Sequence, residues 1–206
     1  MPKHTSIFSR RWGPHLKVSV DCPLDSDGSP AKETDKYQSH ADQPMQSDDT
    51  IIPVYDTAGN IIDRKRRDQI DRQQDIIKSA MVMLINPQGQ CYVVQPVQTA
   101  YPGKWLTSAA TMVREGEAPD KAIKRCLESE LGITSDPTPL GKKFADMDGV
   151  RRFLHMYYLR TSEQPRHNPQ DSSQTRWVEQ TYIRMAVNEF APPVHHLMNE
   201  LMTKLG

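Results

Sequence analysis

The stretch from Thr111 to Ile133, Thr-Met-Val-Arg-Glu-Gly-Glu-Ala-Pro-Asp-Lys-Ala-Ile-Lys-Arg-Cys-Leu-Glu-Ser-Glu-Leu-Gly-Ile, decides how this chain folds. Between Ala118 and Leu131 apolar residues return every three or four positions, the spacing of one helix face, and Gly132 supplies the left-handed residue that ends a helix. At about 100° per residue, Cys126 and Glu130 fall in the apolar arc with Ala122, Ile123 and Leu127. Glu128 instead falls between Lys124 and Arg125 on the charged side. A free cysteine in such an arc behaves as a small hydrophobe, whereas a reactive thiol needs a cationic neighbour. Glu130 reads two ways, as a carboxylate satisfied by backbone amides of the preceding loop or as a ligand.

Outward from this helix the pattern is strand-rich. Ile51 to Tyr55 and Ile61-Ile62 flank the turn Asp56-Thr-Ala-Gly-Asn60, and a charged helix is expected from Arg64 to Asp75. Ser79 to Asn86 and Cys91 to Val97 read as a hairpin with a buried face around Pro87-Gln-Gly-Gln90. Further strands are expected at Leu106 to Val113, Lys143 to Ala145, Arg152 to Arg160 and Arg176 to Val178, and an amphipathic helix at Pro193 to Leu205. The order predicts an α+β domain over residues 51–206, an α/β/α sandwich around a mixed β-sheet.

The spacing of Glu117, Arg125, Leu127, Glu130, Gly132 and Ile133 resembles the Nudix box, G-x5-E-x7-R-E-U-x-E-E-x-G-U with U apolar. Val54 to Ile62 and Gly103-Lys-Trp-Leu-Thr-Ser108 are similar to the branch that contains isopentenyl diphosphate isomerase and its hydrolase relatives. The resemblance spans residues 51–205. It implies a structural role for Glu117 and Arg125, as an ion pair bracing loop against helix, and for Gly132, as the helix end.

It also implies a site at which this chain departs. In the family, three glutamates of the R-E-U-x-E-E stretch hold Mg²⁺ or Mn²⁺ against a diphosphate; here they fall on Cys126, Ser129 and Glu130. A hard cation needs several oxygen ligands and a thiol is a soft one. The opening glycine of the box is Thr111. The isomerase's catalytic cysteine, following glycine and metal-binding histidine fall on Ala110, Thr111 and Met112, and no acid precedes Trp177. No catalytic residue, metal or cofactor is therefore expected, with Glu130 a residue of the old cage; Mg²⁺ or Mn²⁺ is expected only if the chain hydrolyses.

The composition narrows the partners. Of 206 residues, 36% are apolar, and 26 Lys plus Arg balance 26 Asp plus Glu, so no long-range field draws the chain to nucleic acid or anionic lipid. The longest apolar run, Ala80 to Ile85, is too short to span a bilayer. Cys22, Cys91 and Cys126 lack CxxC spacing, which predicts neither zinc nor disulfides and a reducing, intracellular compartment. Residues 1–50 read as an extended or disordered tail: Met1 to Val20 carries Lys3, Arg10, Arg11 and Lys17 without an acid, and Asp21 to Thr50 is mainly acidic. The basic part fits a mitochondrial targeting sequence or, equally, a basic tail, which would leave a cytoplasmic protein.

Among weaker signals, His155, His167, His195 and His196 are too scattered for a metal site, and Met198 and Met202 read as core or partner contacts. Arg64 to Arg67 and Arg151-Arg152 are basic clusters that read as a charged helix start or as phosphate contacts. Three functions follow. The favoured one is a catalytically degenerate Nudix-fold pseudoenzyme, an accessory subunit whose tail binds protein partners. The alternatives are a divergent Mg²⁺- or Mn²⁺-dependent pyrophosphohydrolase, using Glu130 with Glu115 or Glu117 and Asp146 or Asp148, and a nucleotide or RNA binder without catalysis.

Overall fold

The computed structural model describes residues 49–97, 99–166 and 172–205. The compact unit that contains them runs from Ser47 to the C-terminus. Its elements are β1 (Ile51–Tyr55), β2 (Ile61–Arg66), β3 (Ile77–Ile85), β4 (Cys91–Pro96), β5 (Ala109–Met112), α1 (Pro119–Cys126), β6 (Thr138–Met147), β7 (Val150–Arg160), β8 (Ser172–Val178), α2 (Gln180–Met185) and α3 (Pro192–Leu205).

β3 organises the molecule. It runs parallel to β7 over its whole length, from Ile77 opposite Arg152 to Ile85 opposite Arg160. From Ala80 to Ile85 every side chain is buried, as expected of a strand covered on both faces. Ala80, Val82 and Leu84 pack against Ala122, Ile123, Cys126 and Leu127 on one side. Met81, Met83 and Ile85 join Val194, Leu197, Met198 and Leu201 of α3 on the other. The sheet order is β6-β7-β3-β4-β8, with β5 also paired to β3, and all its pairings except β3 with β7 are antiparallel. This is the expected α/β/α arrangement around a mixed sheet.

The hairpin of β3 and β4 opens almost at once. The two strands pair at Ile85 and Cys91; beyond that point β4 turns to β8 while β5 takes Ser79 to Val82 of β3. Ser108 stitches the fork, its Oγ accepting from Leu84 N at 2.8 Å and donating to the Tyr92 carbonyl at 2.6 Å. A cleft begins where the strands part.

Two expected elements differ. Arg64 to Asp75 is not a helix: Arg64 to Arg66 extend β2, paired to β1, and Arg67–Gln69 make a single tight turn. The segment has no apolar stripe to bury as a helix, and the β1 backbone satisfies it instead. Asp71 then accepts from Gln73 N and Gln74 N at 2.8 and 3.2 Å, and this local bonding favours a turn over a helix. The second difference lies in the box helix. α1 ends at Cys126, and Leu127–Leu131 form a widened π turn closed by Gly132 at φ 66°. Each residue of a π turn advances by less than the regular helical angle, so Ser129 and Glu130 leave the positions that regular periodicity assigns them. Strands β5, β6 and β8 also differ in length from expectation, and α2 and a short turn at Val187–Glu189 are additional. No helix among the described residues is long and apolar enough to cross a membrane. The expected tail lies outside the described residues but for its last two.

Candidate functional site

The fork between β3 and β4 opens into a cleft of about 470 Å³, floored by Ser79, Thr107, Ala109, Ala110 and Thr111. This size suits a small ligand. α1 and its π turn border it through Glu130 and Leu131, and Met147 and Val150, at the β6–β7 turn, line it as well. The Trp105 loop is anchored beside α3: Trp105 N donates to the Glu189 carbonyl and Ala191 N to the Trp105 carbonyl, each at 2.9 Å. The Arg176 guanidinium stacks 4.1 Å above the Trp105 ring. The tryptophan of the upstream motif is thus a packing residue.

At the three cage positions the chemistry is mixed. Cys126 is 1% exposed. Burial above all, with the charge of Glu130 and a hydrogen bond to it, pushes its thiol far above the ordinary range. The Ser129 hydroxyl, on the exposed side of the turn, donates to the Cys126 carbonyl at 3.3 Å. Glu130 is half-buried and lines the cleft. It supplies the one carboxylate of the three.

The other acids named from the sequence are held elsewhere. Glu117 takes both Arg125 Nε and Nη2, at 2.8 and 3.0 Å, and Arg114 N at 3.1 Å. The Arg125 guanidinium holds this carboxyl below its ordinary value. Glu115 pairs with Arg64. Asp146 accepts from Gly149 N at 3.0 Å in the β6–β7 turn, where Asp148 has a left-handed φ of 56°. None of these four lines the cleft. Among the described residues no three His, Cys, Asp or Glu side chains are grouped to hold a metal ion. Magnesium takes oxygen donors, and of the three cage positions Glu130 alone offers a carboxylate, with a buried thiol and a backbone-bonded hydroxyl at the other two, so the residues present do not fit the family's three-carboxylate cage.

Ala110, Thr111 and Met112 all lie on β5. All three line the cleft, and Met112 also packs against Ile52, Val54 and Ile77. Gly132 ends the π turn in the left-handed region. His155, His195 and His196 lie on β7 and α3 away from the cleft, and His167 lies outside the described residues. In the 64–67 cluster, Arg64, Lys65 and Arg66 pair with Glu115, Asp75 and Asp68, and Arg67 is among the residues that line the cleft.

Of the cleft's cationic lining, sequence reasoning named Arg67 and Arg152 within basic clusters but missed Arg72 and Arg166, and it did not foresee that the four meet. Arg72, Arg152 and Arg166 join Arg67 there. They come from a turn, a strand and an irregular stretch with no common spacing, so only tertiary structure brings them together.

The profile of the NUDIX domain family matches residues 76–198, more than half of the chain. The chain belongs to the Nudix family. It is 27% identical over 122 residues to a Nudix hydrolase of Deinococcus radiodurans, covering 56% of this chain and 71% of that protein. It is 27% identical over 129 residues to an 8-oxo-dGTP diphosphatase of Haemophilus influenzae, covering 61% and 93%, and 27% identical over 99 residues to an isopentenyl-diphosphate Delta-isomerase of Photorhabdus laumondii, covering 44% and 56%. A crystal structure of a Deinococcus radiodurans protein superimposes with a TM-score of 0.61 at 21% identity, over 72% of this chain and 97% of that one. At that identity the likeness is one of fold. This Nudix domain thus has hydrolases among its relatives and a cleft at the fork of its sheet.

Proposed function

We propose that this Nudix domain binds a phosphate-bearing small molecule in the cleft and does not carry out metal-dependent hydrolysis. The observation that carries the reading is the side-chain chemistry at the cage: a buried thiol at Cys126, a backbone-bonded hydroxyl at Ser129 and a single carboxylate at Glu130. The retained cleft supports binding. The accessory-subunit form of this reading, with residues 1–50 as the partner-binding segment, rests almost wholly on residues outside those described, and the relatives support it less than they support hydrolysis.

A specific observation favours a second reading, a divergent Mg²⁺- or Mn²⁺-dependent pyrophosphohydrolase. One relative, covered over 93% of its length, is an 8-oxo-dGTP diphosphatase. In that reading Glu130 is the surviving ligand and further carboxylates must approach it when substrate binds.

Mn²⁺ titration calorimetry with ADP present, on the wild type and Glu130→Ala, separates the two. The binding reading expects no Mn²⁺ uptake by the cage in either protein and no phosphate release from ADP. Tight Mn²⁺ binding lost in Glu130→Ala, together with release of phosphate, establishes the hydrolase instead.

A further inference from the structure

We infer that the Nudix cleft recognises a diphosphate group directly through arginine, with guanidinium groups supplying the positive charge that a divalent cation supplies in a full metal cage. This rests on the reading of the cleft as a binding site for a phosphate-bearing molecule and names its recognition chemistry. Four arginines and one carboxylate line the cleft, in a chain whose formal net charge is zero. That concentration of one sign within one concavity is what an anionic ligand requires. Guanidinium forks also match phosphate oxygens bidentately, which a point charge does not.

The arginines are held in place by the fold. Arg152 is 6% exposed on β7, and its fork donates to the carbonyls of Asp75, Arg151 and Arg72, at 2.8, 2.7 and 3.2 Å. It thereby pins the turn that carries Arg72, which Asp75 also closes by accepting from Asp71 N at 2.9 Å. Burial foremost, and the nearby charge of Arg72 as well, lower the pKa of Arg152. An anion seated between the two would offset both costs.

Arg166 is placed by the helix end. Its N–H donates to the Leu131 carbonyl at 2.9 Å. Its side chain crosses Gly132 so closely that an added Cβ would stand 2.8 Å from Arg166 Cδ. The glycine that ends the π turn is also the gap through which an arginine reaches the cleft. Arg67, from the turn that follows β2, lines the same cleft as Glu130. Of the three cage positions, Glu130 therefore shares one space with the arginines.

The decisive variant is Glu130→Gln, because the two charge sources predict opposite signs. If arginine neutralises the diphosphate, losing the carboxylate removes a repulsion and tightens binding; if a cation does, it removes the ligand and weakens binding. The experiment is calorimetric titration of the full chain with inorganic pyrophosphate and with ADP, in EDTA and in Mg²⁺. We expect binding in EDTA at least as strong as in Mg²⁺, which itself complexes both ligands, tightened in Glu130→Gln and weakened about tenfold or more in Arg67→Gln and in Arg166→Gln. Arg184→Gln, at an exposed arginine of α2 that does not line the cleft, is expected to bind as the wild type does. Arg67 and Arg166 are exposed, and thermal unfolding of each variant verifies that it is folded. Binding that requires Mg²⁺ and vanishes in Glu130→Gln overturns the arginine assignment while leaving the cleft a phosphate site. Absence of binding by pyrophosphate and ADP in either buffer overturns both the assignment and the reading on which it rests.

Discussion

Cys126 shows what one substitution in the box does to the physics of its site. A thiol at 1% exposure fills the seam between the π turn and β3, and its raised pKa keeps it protonated. Cys91 is likewise buried, its thiol pushed up to about 12 by desolvation and then by Glu179. Since the thiolate is the reactive form, a Cys22→Ser protein is expected to react with a thiol reagent at neither remaining cysteine at pH 8 until urea unfolds it; rapid labelling in native buffer would contradict their burial. Glu117 behaves differently. Its ordinary value is 4.5, and Arg125 lowers it in the fold, so the pair stabilises the native state fully above that value. The contribution is lost as pH falls through the lower folded value. Glu117→Gln is expected to cost about 1–2 kcal/mol in urea unfolding at pH 7, and this difference should shrink towards zero as the pH drops below 4.5. An unchanged difference in acid would assign the cost to packing.

The element that matters most is the box helix with its π turn. Periodicity places the helix and the glycine that ends it, because one buried face and one left-handed residue are local demands. It does not place the widening after Cys126, which depends on how Leu127 and Leu131 seat against the sheet and the following segment; both are buried. Leu127→Ala should cost about 2–5 kcal/mol through the cavity it leaves, measured from the urea midpoint. Gly132→Ala should cost about 1–2 kcal/mol for the left-handed backbone alone. It must also displace Arg166, so on the arginine reading it weakens pyrophosphate binding as well. A loss of stability with unchanged binding would separate the glycine's two roles. The Arg64 to Asp75 segment teaches the converse. Its charge suits a solvated helix, yet a free strand edge at β1 and the Asp71 turn outcompete helix formation when no apolar stripe favours it.

At the scale of the whole molecule, the core of the described residues lies on the two faces of the six-stranded sheet, with a smaller cluster of Ile52, Val54 and Ile77 beside β1. Every buried apolar side chain among the described residues lies between Ile52 and Leu201, within the unit that begins at Ser47. With a polar segment before that unit, a protein starting at Ser47 is expected to unfold in one cooperative transition, within about 0.5 kcal/mol of the full chain. A loss of more than about 2 kcal/mol would mean that the preceding residues complete the core.

Local chemistry made much of this protein legible. The unbroken apolar run from Ala80 to Ile85, helical spacing from Ala118, the turn residues and the Glu117 and Arg125 spacing act over a few residues and are written in order along the chain. The replaced cage residues, Cys126 and Ser129, are equally plain, because the motif fixes their separation. What only tertiary structure decided is convergence. The β3–β4 fork, the Ser108 stitch that holds it and the meeting of Arg67, Arg72, Arg152 and Arg166 in one cleft join residues as far as about a hundred positions apart. No short-range period encodes such meetings, because they follow from which strand edges pair, and that is settled by burial across the whole sheet.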